Sequence, residues 1–105
     1  MDIVGQKVQV TYENGSQYEV EYLSPDKLRW TALAGETAGN SGVESPVITE
    51  LGDDRYWLNW LEDDGTTISQ VLDLASATLT EFTTYTDAGD RVKVFQQPAM
   101  VVLGR

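Results

Sequence analysis

The chain has 105 residues, 41% of them hydrophobic, with three Trp and five Tyr. That is enough apolar material for one core and predicts a single domain over residues 1–105. Acidic residues outnumber basic ones 17 to 7, for a formal charge of -10, which disfavours phosphate backbones and anionic membranes as partners. Cys and His are both absent, so disulfides, thiol nucleophiles and the commonest metal ligands and general base are excluded. No metal and no cofactor is expected, and any chemistry falls to Asp, Glu, Tyr, Lys or Arg.

The opening Met1-Asp2-Ile3-Val4-Gly5 has no basic segment ahead of an apolar one, and no apolar run nears the roughly 18 residues of a membrane span. A cytoplasmic location is the expectation. From there, two-residue alternation dominates, punctuated by turn residues about every 8–12 positions. Val8, Val10 and Tyr12 alternate with Gln9 and Thr11, and Asn14-Gly15 signals a hairpin. The return strand alternates Tyr18, Val20 and Tyr22 with Gln17, Glu19 and Glu21. After Ser24-Pro25-Asp26 a third strand carries Leu28, Trp30 and Ala32.

The Gly-rich stretch from Ala34 to Gly42 reads either as a flap carrying function or as a plain surface connection. A fourth strand is predicted from Val43 to Leu51, with a bulge or edge position at Pro46. Gly52-Asp53-Asp54 leads into a fifth, Arg55 to Glu62, and Asp63-Asp64-Gly65 into a sixth, Thr66 to Leu74. A seventh spans Ala77 to Tyr85. The last starts at Arg91, beyond the Asp87-Ala88-Gly89-Asp90 turn, and is expected to continue past Pro98 through Leu103. About eight strands joined in sequence predict an all-β fold, a small antiparallel up-and-down barrel that closes to remove its edges.

The first hairpin permits a finer expectation. A two-residue turn at Asn14-Gly15 would put Val8, Val10 and Tyr12 on the face of Glu19 and Glu21. A three-residue loop with Gly15 in a left-handed bulge shifts the register by one and aligns the apolar faces of both strands. Burial selects the bulged form, which gathers Tyr12, Tyr18, Tyr22 and Trp30 in one interior.

The runs Thr11-Tyr12-Glu13-Asn14-Gly15 and Tyr18-Glu19-Val20 resemble the opening hairpin of bacterial phenolic acid decarboxylases. Trp60-Leu61-Glu62, Asp63-Asp64-Gly65-Thr66, Ile68-Ser69 and Leu72-Asp73-Leu74 resemble their Trp-x-Glu hairpin and the strand after it. Both segments are also similar to the MoaF-like domain, a relative sharing the calycin (lipocalin-like) barrel, and the likeness runs from about Val8 to Tyr85. The resemblance implies a barrel with a cavity open at one end. In the decarboxylases a Tyr-x-Tyr pair grips the substrate carboxylate, an Arg in Gly-Arg-Trp assists, and the Glu of Trp-x-Glu handles the phenol and proton transfer. Tyr12 and Glu62 match the second tyrosine and the glutamate. Val10 stands at the first tyrosine, and Gly39-Asn40-Ser41 has no Arg. The resemblance thus favours a MoaF-like binding domain over a decarboxylase.

Two readings stand for each candidate. Glu62 is either a buried carboxylate beside Trp60, with a raised pKa, or an exposed strand-end residue. Tyr12, Tyr18, Tyr22, Trp30, Tyr56 and Trp60 line a cavity or simply pack a core, although buried phenols need hydroxyl partners. Asp53-Asp54 and Asp63-Asp64 lack the spacing of a calcium loop and read as turn residues. Arg29 and Trp57 should point outward. Trp57 with Leu61, and the apolar run Ala99 to Leu103, suggest a homodimer. The leading expectation is a protein binding an aromatic or phenolic small molecule through Tyr12, Tyr18, Tyr22, Trp30, Tyr56, Trp60 and Glu62. The alternative is a cofactor-free decarboxylase-like lyase with Glu62 as acid-base and Tyr12 as donor.

Overall fold

A computed structural model describes residues 2–105 as ten strands with no helix among the described residues. Accordingly, no helix there is long and apolar enough to cross a membrane. In chain order they are β1 (Lys7–Thr11), β2 (Gln17–Ser24), β3 (Lys27–Ala34), β4 (Ser41–Glu44), β5 (Val47–Gly52), β6 (Arg55–Leu61), β7 (Thr67–Asp73), β8 (Thr78–Asp87), β9 (Asp90–Gln96) and β10 (Ala99–Gly104). All pairings are antiparallel, in the order β4-β3-β2-β1-β10-β8-β7-β6-β5, with β9 also on β8. The sheet curls into a barrel-like shape, all-β as the alternation predicts.

Ten strands replace the expected eight because two proline-containing strands are bent and divided. Pro46 lies between β4 and β5, and Pro98 between β9 and β10. Proline offers no N–H to a ladder, so pairing lapses there and the chain can turn from one half of the sheet to the other. Glu81↔Gln96 in β8–β9 and Ala99↔Thr78 in β10–β8 keep one common register, so β9 and β10 are one strand interrupted at its bend. Beyond Ala99 that strand leaves β8 and pairs along β1, which joins the two halves of the sheet.

The first hairpin adopts the bulged form. Val10 pairs with Tyr18 and Val8 with Val20. Gly15, at φ 90°, occupies the left-handed position that glycine alone takes without strain. The apolar faces of β1 and β2 therefore coincide, and their continuation on β3 brings in Leu28 and Trp30.

One end of the barrel is packed solid. Val8, Leu58 and Leu72 have no exposed surface, and Leu74, Leu79, Met100 and Ile3 close around them. Each such fully buried side chain contributes about 1.5–3 kcal/mol of transfer free energy. The N-terminal segment is tied across this end: Gly5 N donates to Tyr22 O at 2.7 Å, and Arg105 Nη2 donates to Val4 O at 3.0 Å.

Outward-facing positions follow the pleat. Arg29 is exposed, pairing with Glu21 at 3.4 Å, and Trp57 is 44% exposed with its Nε1 donating to Ser69 Oγ at 2.9 Å. Leu61 is also exposed. In β10, Met100 points into the core, while Val101 and Leu103 face outward, so the run is apolar on both faces but buried on one.

Candidate functional site

The other end of the barrel is hollow. A cavity of about 390 Å³ lies there, within the range of small-molecule sites. It is lined by Tyr12, Tyr18, Tyr22, Trp30, Trp60 and Glu62 among the residues singled out above. Tyr56 does not join them. It sits on an inward face, 4% exposed, but two strand positions nearer the packed end than Leu58, in the core with Leu72 and Leu79.

Tyr12 and Glu62 reach the mouth by the same device. Each is the last residue before a three-residue loop, Glu13-Asn14-Gly15 or Asp63-Asp64-Gly65. In each, the glycine N–H donates back to the strand-end carbonyl: Gly15 N to Tyr12 O at 3.0 Å, Gly65 N to Glu62 O at 2.9 Å. Both glycines hold positive φ, 90° and 89°. The side chains of Asn14 and Asp64 each accept the N–H two residues on, from Ser16 and Thr66, at 2.9 Å. This bond also holds the Asp64 carboxyl below its ordinary range. Two hairpins of one design thus deliver a phenol and a carboxylate to the same mouth.

The aromatic wall is built edge to face. Tyr12 meets Tyr18 with ring centres 5.8 Å apart at 87°, and Tyr18 meets Trp30 at 6.1 Å and 79°. Trp30 lies against the backbone of β4 because residue 42 is glycine. A Cβ there would come within 2.8 Å of the indole. The loop after β3 folds back with Gly39 N donating to Ala32 O at 2.9 Å, and it contributes Thr37 to the cavity, 3.4 Å from the Tyr18 hydroxyl.

At the centre is a residue not singled out from the sequence. Glu81, only 3% exposed, accepts three hydrogen bonds: Tyr12 Oη at 2.9 Å and Gln70 Nε2 at 2.7 Å on Oε1, and Gln96 Nε2 at 2.8 Å on Oε2. All three partners donate, so both carboxyl oxygens serve as acceptors. Beside it, Thr83 Oγ1 is buried without a hydrogen-bond partner among the described residues, on the cavity wall. The signal for Glu81 and Thr83 was present in strand parity. Both share the face of Leu79, as Gln70 shares that of Leu72.

Burial acts on the ionisable groups. It pushes the Tyr12 phenol well up, with the Glu81 charge and hydrogen bond adding to the effect, so Tyr12 keeps its proton and donates it. Tyr22 is pushed up by burial alone. Glu62 is half-buried and accepts from Trp60 Nε1 at 3.1 Å. Its carboxyl is raised by burial, against the lowering effect of that indole bond, with the charges of Glu44, Asp64 and Glu81 adding to the rise. Trp30 Nε1 donates in turn to Glu44 Oε2 at 2.9 Å. No group of His, Cys, Asp and Glu among the described residues is arranged to hold a metal ion.

A family model described as MoaF-like matches residues 4–94. Among solved structures, one from Burkholderia vietnamiensis that carries the provisional name beta-lactamase superposes with a TM-score of 0.81. It is 21% identical, and the match covers 98% of this chain and 97% of that one. At that identity the likeness is one of fold. No curated protein matches the chain.

Proposed function

The chain belongs to the MoaF-like family, and we propose that it is a small-molecule-binding protein whose ligand, partly aromatic, occupies the cavity bounded by Tyr12, Tyr18, Trp30, Trp60 and Glu62. The observation that carries this reading is a ligand-sized hollow walled by edge-to-face aromatic rings and bordered by two carboxylates, Glu62 and Glu81. Tyr22 and Leu28 form an apolar floor, and the edge-to-face rings leave aromatic surface facing the space.

The lyase reading finds less support. Tyr12 has the donor needed to grip a carboxylate, but that donor is spent on Glu81. None of the cavity-lining residues is Lys or Arg, so a hydroxycinnamate carboxylate would enter without a counter-charge. Incubation with p-coumarate should leave its absorbance unchanged, and turnover abolished in Glu62→Gln would restore the enzyme reading.

Intrinsic fluorescence tests the binding proposal, because Trp30 and Trp60 line the cavity while Trp57 lies outside. Titration with small aromatic amines, phenols and acids should quench or shift the emission for at least one class, and Trp57→Phe should keep that response. Emission and melting temperature that ignore every compound would overturn the proposal.

A further inference from the structure

Resting on the reading that the cavity holds a small molecule, we infer that it selects an organic cation: a protonated amine carried on an apolar, ring-sized body, with the charge facing Glu62 and Glu81 and the body against the aromatic wall.

The inference comes from how the hydrogen-bonding groups of the cavity are spent. Five of its donor side chains, both indoles among them, are committed to carboxylates. Tyr12 Oη, Gln70 Nε2 and Gln96 Nε2 donate to Glu81. Trp60 Nε1 donates to Glu62, and Trp30 Nε1 to Glu44. With their N–H groups turned to the rim, both indoles offer ring surface rather than donors. What remains for a ligand is carboxylate oxygen, π-surface and, mostly towards the mouth, the Asn14 amide and hydroxyls such as Ser16, Tyr18 and Thr37, which can act either way. A molecule that complements the two carboxylates brings donors of its own.

Charge leads to the same class. Glu62 and Glu81 both line the cavity, and none of the lining residues is Lys or Arg. A carboxylate as buried as Glu81 normally has a cationic partner or a metal. Its present partners are neutral amides and a phenol, which satisfy its oxygens but leave its charge uncompensated. Glu44, Asp63 and Asp64 line a shallow depression that adjoins Glu62 and add negative potential at the entrance. An ammonium group near an aromatic face gains a further cation–π attraction, strongest with Trp. Tyr12, Tyr18, Trp30 and Trp60 supply four rings around the same space. A carboxylate or phosphate ligand would meet like charge and no free cationic donor.

Three probes that share a phenylethyl body separate the classes: 2-phenylethylamine, 2-phenylethanol and 3-phenylpropionate, titrated by calorimetry at neutral pH against the whole chain. The amine should bind at least tenfold more tightly than the alcohol, and the acid more weakly than both. Glu62→Gln and Glu81→Gln should each narrow the gap between amine and alcohol by weakening the amine several-fold more than the alcohol. Melting curves establish that each variant is folded, and Glu62→Gln, at the half-buried rim, decides the matter if Glu81→Gln does not fold. Equal binding of amine and alcohol, tighter binding of the acid, or an amine preference that survives in the folded variants overturns the cation assignment and leaves the small-molecule reading standing. If none of the three binds, the cation assignment falls, and the fluorescence titration across amines, phenols and acids decides the small-molecule reading separately.

Discussion

The two ends of this barrel are made from the same pleated strands and differ in what the inward positions carry. At the packed end they are mostly aliphatic: Val8, Leu58, Leu72, Leu74 and Leu79 interlock around Tyr56 without exposed surface or nearly so. At the open end the same strands present Tyr12 beyond Val10, Trp60 beyond Leu58, Gln70 before Leu72, and Glu81 and Thr83 beyond Leu79. An aliphatic layer gains from being filled, since dispersion and burial grow with contact. A layer of phenols, amides and carboxylates has to satisfy directional bonds first, and those bonds hold side chains apart. Tight packing belongs to the first layer, and the proposed recognition falls to the second.

Substitutions should separate the two layers. Leu58→Ala leaves a hole in the packed end and should cost about 3 kcal/mol in a urea titration. It should leave the ligand preference of the folded fraction intact. Glu81→Ala strips the acceptor from three buried donors and should cost about 2 kcal/mol, a smaller loss than Leu58→Ala. Gly42→Ala should cost about 1–2 kcal/mol and shift the tryptophan emission, because the new Cβ has to displace the Trp30 indole. Loss of stability from Gly42→Ala with unchanged emission would mean that Trp30 is not held against β4 as described.

The smallest effect is a dependence on pH. The Glu62 carboxyl is raised in the fold, so the folded chain binds this proton more tightly than the unfolded one. Between the ordinary carboxylate range and the raised value, stability attributable to Glu62 falls as pH rises, and below the ordinary range the penalty disappears. Glu62→Gln should therefore be slightly more stable than the parent at neutral pH, and the advantage should vanish on acidification. Urea midpoints at the two pH values check the sign. An advantage that grows on acidification would contradict it.

Much of this was readable from residue order. Asn14-Gly15 with one buried face was sufficient to choose the bulged register, and with it the meeting of Tyr12, Tyr18 and Trp30. Parity also placed Tyr56 inward correctly. What parity does not encode is depth along the barrel axis, which depends on strand stagger, and so Tyr56 was grouped with the mouth although it belongs to the packed end. Glu81 illustrates the converse difficulty. Its inward position follows from Leu79, but an acidic residue in a chain of charge -10 reads as surface until its donors, Gln70 and Gln96 from flanking strands, are brought beside it. The strand count changed at Pro46 and Pro98, where a missing N–H interrupts pairing without ending the strand's course.

Nuclear magnetic resonance of the whole chain during titration with 2-phenylethylamine is the most direct test, because it observes both ends together. The Tyr12, Trp30 and Trp60 ring signals and the Thr83 methyl should shift, with the Leu58 and Leu72 methyls hardly moved. Shifts confined to the outward Trp57, or spread evenly through the aliphatic core, would contradict binding in the cavity.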